Sequence, residues 1–69
     1  MERGEYDEAR NKFETVLEMK QQIGDKAGMA ATLHRLATID MERGEYDEAR
    51  NKFEKALKIK QQIGDKAGV

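Results

Sequence analysis

Residues 41–53 read MERGEYDEARNKF, and the same thirteen letters stand at 1–13. The offset is 40 residues, and QQIGDKAG recurs at it too, at 21–28 and 61–68. Aligned over residues 1–28 and 41–68, the two copies differ at four places: Thr15 against Lys55, Val16 against Ala56, Glu18 against Lys58 and Met19 against Ile59. A period in this range marks a stack of supersecondary units, and it decides the fold before any single-residue motif is weighed.

The chain has 69 residues, 38% hydrophobic and 39% charged, so a core forms only if the apolar side chains share one face of each element. A chain of this size buries a smaller share of its surface than a larger domain. With no cysteine, neither a disulfide nor a thiolate metal site can brace it. Thirteen basic and fourteen acidic side chains leave a net charge of -1, without the electrostatic footprint of a nucleic-acid binder. No apolar run approaches a membrane span, and Glu2, Glu5, Asp7 and Glu8 occupy the place of a secretory leader's apolar core. These features set the expectation of a soluble, cytoplasmic-type protein that engages neither nucleic acid nor membrane.

Tyr6, Ala9, Phe13, Val16, Leu17 and Met19 recur at spacings that place most of them on one helical stripe. The spacing predicts a first helix from Glu5 to about Ile23, with Gly24 suited to the left-handed residue that ends a helix. Asp25 is suited to cap the next helix by accepting hydrogen bonds from its first amides. That second helix is predicted from about Lys26 to Arg43 and stops at Gly44. The third repeats the first, from about Glu45 to Ile63, and residues 64–69 repeat the linker as a tail. There is no proline, strand signals are missing and the connections are short, so neighbouring helices should run antiparallel. The predicted fold is all-α, a single segment of three helices in one layer.

These residues resemble the tetratricopeptide repeat (TPR) family in its longer-period variety. Leu33 and Leu36 match the large apolar positions of the family's helix A, Ala37 its small position and Gly44 its turn. Tyr46, Ala49, Phe53, Ala56 and Leu57 match the series on helix B, which Tyr6, Ala9, Phe13 and Leu17 repeat in the first copy. Asp40 stands where the family usually carries tyrosine, Val16 where it closes helix B with alanine, and the usual proline after helix B is missing. The resemblance covers one and a half units: 1–23 as a helix B without its own helix A, and 26–63 as a complete A and B pair of an α-solenoid. It implies that the named residues form the repeat core. It also implies a concave, partner-binding face on helix A, at Ala31, His34, Arg35, Thr38, Met41 and Glu42.

Other chemistry finds little support. His34 is the sole histidine and the chain has no serine, so the nucleophile, base and orienting group of covalent catalysis are not assembled. The carboxylates Glu5, Asp7 and Glu8 sit where a helix dipole favours negative charge, and GDKAG lacks the glycine spacing of a phosphate loop. No catalytic residue, metal site or cofactor is expected, and the chain is read as a non-enzyme. Of the family's carboxylate-gripping set only Arg35 matches, and a single helix A cannot build a grip that spreads over three repeats.

In a solenoid, stability sums over units and interfaces. The first helix here lacks its own helix A and the third lacks the one that would follow, so both are expected to expose apolar stripe. The resemblance therefore implies a protein–protein interaction module. Its nearest partner is expected to be a second copy of the chain, since one helix A faces two nearly equal B helices and exchange between copies costs little. On this reading the chain is an excised or engineered unit that forms homo-oligomers by domain swapping. The alternative is a peptide-binding scaffold, part of a longer array whose A helices complete the concave face. Residues 1–28 carry a net charge of -2 and 41–68 a net charge of +1, a mild bias for association between unlike ends.

Overall fold

The computed structural model describes residues 3–68 and contains three helices, α1 (Arg3–Ile23), α2 (Lys26–Glu42) and α3 (Tyr46–Gly68). The all-α, three-helix reading is correct. The molecule measures 45 × 23 × 14 Å, and the shortest dimension is close to the diameter of one helix with its side chains, so the helices lie in a single layer. The central helix is α2, which packs against α1 on one side and α3 on the other. Among the described residues no helix is long and apolar enough to cross a membrane.

Both turns are built from the same backbone device. After α1, Gly24 takes φ +73°, its N–H donates to the Gln21 carbonyl at 3.2 Å, and the Asp25 N–H donates to the Lys20 carbonyl at 2.9 Å. After α2, Gly44 takes φ +82°, its N–H reaches Met41 O at 3.0 Å, and Glu45 N–H reaches Asp40 O at 2.8 Å. This pair of bonds closes a helix around a left-handed residue, a conformation glycine adopts without a Cβ clash. Asp25 then caps α2, its Oδ1 accepting from the Gly28 N–H at 2.9 Å, while Lys20 Nζ stands 3.3 Å from Asp25 Oδ2. Gly28 has to be small: a Cβ there would fall 2.5 Å from Asp25 Oδ2 and 2.8 Å from Lys20 Cδ.

The buried apolar core consists of Ala30, Leu33, Leu36, Ala37 and Ile39 on α2 with Ala49 and Ala56 on α3. Leu17 of α1 and Ile59 of α3 pack on it from either side. Five of these seven side chains belong to α2 because it alone is covered on two sides. Two polar residues are buried with them. The Thr32 hydroxyl donates back to Gly28 O at 2.8 Å, and Asp40 is ion-paired with Lys52 of α3. No buried side-chain nitrogen or oxygen among the described residues lacks a hydrogen-bond partner.

Three expectations change. Residues 64–68, expected as a linker tail, continue α3 to Gly68, whereas the same octapeptide QQIGDKAG breaks after α1. The difference is one of tertiary context: at 21–28 the chain must turn for α2 to fold back, while among the described residues no helix folds back on the outer side of α3. Tyr46 and Leu57, expected in the repeat core, are 66% and 55% exposed, because their stripe of α3 points away from α2. In the first copy Tyr6, Ala9, Phe13 and Leu17 are half-buried rather than buried, since α1 meets α2 alone.

Candidate functional site

Each B-type helix of this chain has two stripes for helix partners, and the internal repeat lets one copy serve as the map for the other. On α3, the stripe facing α2 carries Ala49, Lys52 and Ala56, with Glu45 one residue before the helix; the two alanines are buried and Lys52 reaches Asp40. Forty residues earlier, Glu5, Ala9, Lys12 and Val16 join Glu8 and Phe13 in lining an open groove of 280 Å³ on α1. That groove corresponds to the face that α2 covers on α3.

The second stripe gives the complementary picture. On α1 it faces α2. Tyr6 hydrogen-bonds the Glu42 carboxylate, Arg10 Nη1 lies 3.9 Å from Glu45 Oε2, and Leu17 packs on the core. Asp7 Oδ1 binds both Arg10, at 3.0 Å, and Arg43 beyond the end of α2, at 3.1 Å. On α3 the copies Tyr46, Ala49, Arg50, Phe53 and Leu57 line an open groove of 430 Å³ together with Met41 and Glu54. Its walls are almost wholly apolar, and Met41 is itself 47% exposed.

A third groove, of 610 Å³, runs along the free face of α2. It is lined by Ala27, Ala31, His34, Arg35 and Thr38, with Phe13 and Lys60 at its edges. The two alanines keep the floor low. His34 is fixed by an edge-on contact with Phe53, ring centroids 5.1 Å apart at 70°. The Thr38 hydroxyl donates to His34 O at 3.0 Å and so turns inward to the helix backbone. Neither Arg35 nor Lys60 forms an ion pair with another described residue, and no carboxylate lines the groove.

The six concave-face residues expected from sequence therefore divide. Ala31, His34, Arg35 and Thr38 come together in the groove on α2. Met41 instead belongs to the groove on α3, and Glu42 accepts the hydroxyl of Tyr6. Burial pushes the Tyr6 phenol up from its ordinary value, and the nearby negative charge of Glu42 and the hydrogen bond to it act in the same direction. Sequence reasoning missed Phe13 and Lys60 as groove residues, since they arrive from the two flanking helices. It also missed the partnership of Asp40 with Lys52; Asp40 lies in the stretch that has no second copy, so comparing the copies carried no signal for it.

Among the described residues no group of three or more histidine, cysteine, aspartate or glutamate side chains could hold a metal ion. A model of the tetratricopeptide repeat matches residues 1–62. Comparison with curated proteins and with solved structures found no match.

Proposed function

Since the chain belongs to the tetratricopeptide repeat family, whose members are protein–protein interaction modules, we propose that it associates with further copies of itself. One observation carries this reading. Tyr46, Arg50 and Leu57, open on α3, repeat Tyr6, Arg10 and Leu17, which on α1 meet Glu42, Glu45 and the core. Surface that on α1 is paired with its neighbours is thus open on α3 and free to pair with another copy. Burial of apolar area drives such association.

The test is molar mass by light scattering on a size-exclusion column over a hundredfold concentration range. A mass above 7.9 kDa that grows or persists with concentration supports self-association. A helical species of 7.9 kDa throughout the range overturns it.

A second reading is favoured by the groove on α2. Arg35 and Lys60 stand in it without carboxylate partners, and Ala27 and Ala31 leave room for a bound side chain. This arrangement suits an acidic peptide segment laid along helix A. Titration with a short acidic peptide, at low and high salt, tests it: binding that weakens with salt and falls in Arg35→Ala supports the groove as a binding site, and no binding to the unaltered chain removes it.

A further inference from the structure

The octapeptide QQIGDKAG occurs twice with identical letters and two conformations: it turns at 21–28 and is helical at 61–68. We infer that residues 24–25 are a hinge that straightens to fuse α1 and α2 into one helix, so that α1 packs on the α2 of a second copy instead of its own. This rests on the proposal above that the chain associates with its own copies, and gives an interface distinct from the outer stripe of α3, which stays open in the exchanged pair.

The turn is held by contacts at the surface. Ile23 is 72% exposed, and the Lys20 to Asp25 ion pair joins side chains that keep 36% and 37% of their surface in water. No residue from Gln21 to Met29 is buried, so straightening opens no core. The backbone bonds that close the turn, from Gly24 and Asp25 to Gln21 and Lys20, are replaced by helical bonds from the same donors. The copy at 61–68 shows that this sequence accepts the helical form.

Geometry fixes the outcome. Once α1 is collinear with α2 it cannot fold back on its own chain. Two such long helices running antiparallel place each α1 against the other α2, and α1 and α2 are antiparallel already. The contacts of the closed chain then re-form between copies: Leu17 on the core, Tyr6 with Glu42, and Asp7 with Arg43. Of the two outer helices α1 is the one to exchange, because α3 is anchored by buried Ala49 and Ala56 and by Lys52 on Asp40, while α1 has no buried side chain among the described residues.

Three variants test the hinge in the full chain. Lys26→Pro puts proline at the first position of α2, where it removes from the turn the Lys26 N–H bond to Gly24 O at 3.1 Å but disrupts a continuous helix far more. Light scattering should return this variant to a monomer with its helical circular dichroism retained. Gly24→Ala penalises the left-handed turn and favours the helix, and should tighten the dimer by about tenfold or more. Mixing an Asp7→Cys chain with an Arg43→Cys chain and adding a short bismaleimide should link positions 7 and 43 of different chains. If the unaltered chain is monomeric throughout, the self-association reading falls and the exchange with it. If the unaltered chain is dimeric, the Lys26→Pro chain stays dimeric and no link joins positions 7 and 43 between chains, the hinge is overturned and self-association stands.

Discussion

Asp40, 1% exposed near the end of α2, receives the ammonium of Lys52 from the second turn of α3. A carboxylate so far from water has to be paired, since an isolated buried charge is costly. Glu48 stands 3.8 Å from the same ammonium but is largely solvated, so Lys52 belongs chiefly to Asp40. The pair ties α2 to α3 at the position where this family usually places a tyrosine.

Lys52→Met should therefore destabilise the fold by about 2 to 3 kcal/mol, below the range for fully buried pairs because the lysine side chain keeps some contact with water. Lys12, its copy on α1, lines an open groove, and Lys12→Met should change stability by less than about 0.5 kcal/mol. Urea unfolding followed by circular dichroism measures both. Adding Asp40→Leu to Lys52→Met should recover part of the loss, because no charge then remains unpaired.

A second pair of identical residues separates by the same logic. Leu17 packs on the core cluster, whereas Leu57 is 55% exposed. Leu17→Ala should cost about 1 to 2 kcal/mol, less than for a fully buried leucine because α1 covers it on one side alone. Leu57→Ala should cost under about 0.5 kcal/mol at concentrations where the chain is monomeric. Equal losses at the two positions would mean that the outer stripe of α3 is covered in solution.

The helices were legible because the apolar residues of each copy recur at helical spacing and because Gly24 and Gly44 mark the turns. What the sequence concealed follows from its repetition. Tyr6 and Tyr46 have the same neighbours in the chain, and the changes that flank Leu17 and Leu57 leave both on the same helical stripe, so no local rule separates the covered member of each pair from the exposed one; the separation comes from having a helix on one side alone. The extension of α3 through Gly68 was hidden for the same reason, since one octapeptide cannot announce two conformations. On the concave face, sequence register found Ala31, His34, Arg35 and Thr38 because they lie on one helix. Phe13 and Lys60 come from other helices, and only packing brings them to the groove.

The hydroxyl of Tyr6 supplies a titration that can be isolated. In a Tyr46→Phe chain the remaining tyrosine should ionise above its ordinary value of 10.0, through desolvation first and the charge and hydrogen bond of Glu42 next. A raised phenol contributes stability that is complete below the unfolded value and is lost as pH rises through the folded one. Absorbance at the tyrosinate band should show the late midpoint. Glu42→Gln should bring it down in part, leaving the displacement caused by burial.

Asp25 gives the opposite dependence at the acid end. Its carboxyl is held below the ordinary 3.8, first by the Gly28 N–H and then by the hydrogen bond and charge of Lys20, against a smaller opposing effect of desolvation. A lowered carboxyl contributes stability that is present above the unfolded value and lost as pH falls through the folded one. Asp25→Asn keeps an oxygen that can cap the Gly28 N–H but has no charge to titrate. The difference in urea midpoint between the unaltered chain and Asp25→Asn should be constant from neutral pH to about 5 and should shrink below the ordinary value of 3.8, the other carboxylates cancelling between the two proteins. Because Asp25 caps the turn that separates α1 from α2, acid should also weaken that turn, and the fraction of dimer should rise over the same pH interval in which the stability difference closes. A dimer fraction that stays constant while the midpoints converge would uncouple the cap from the hinge and leave Gly24 as the residue that holds it.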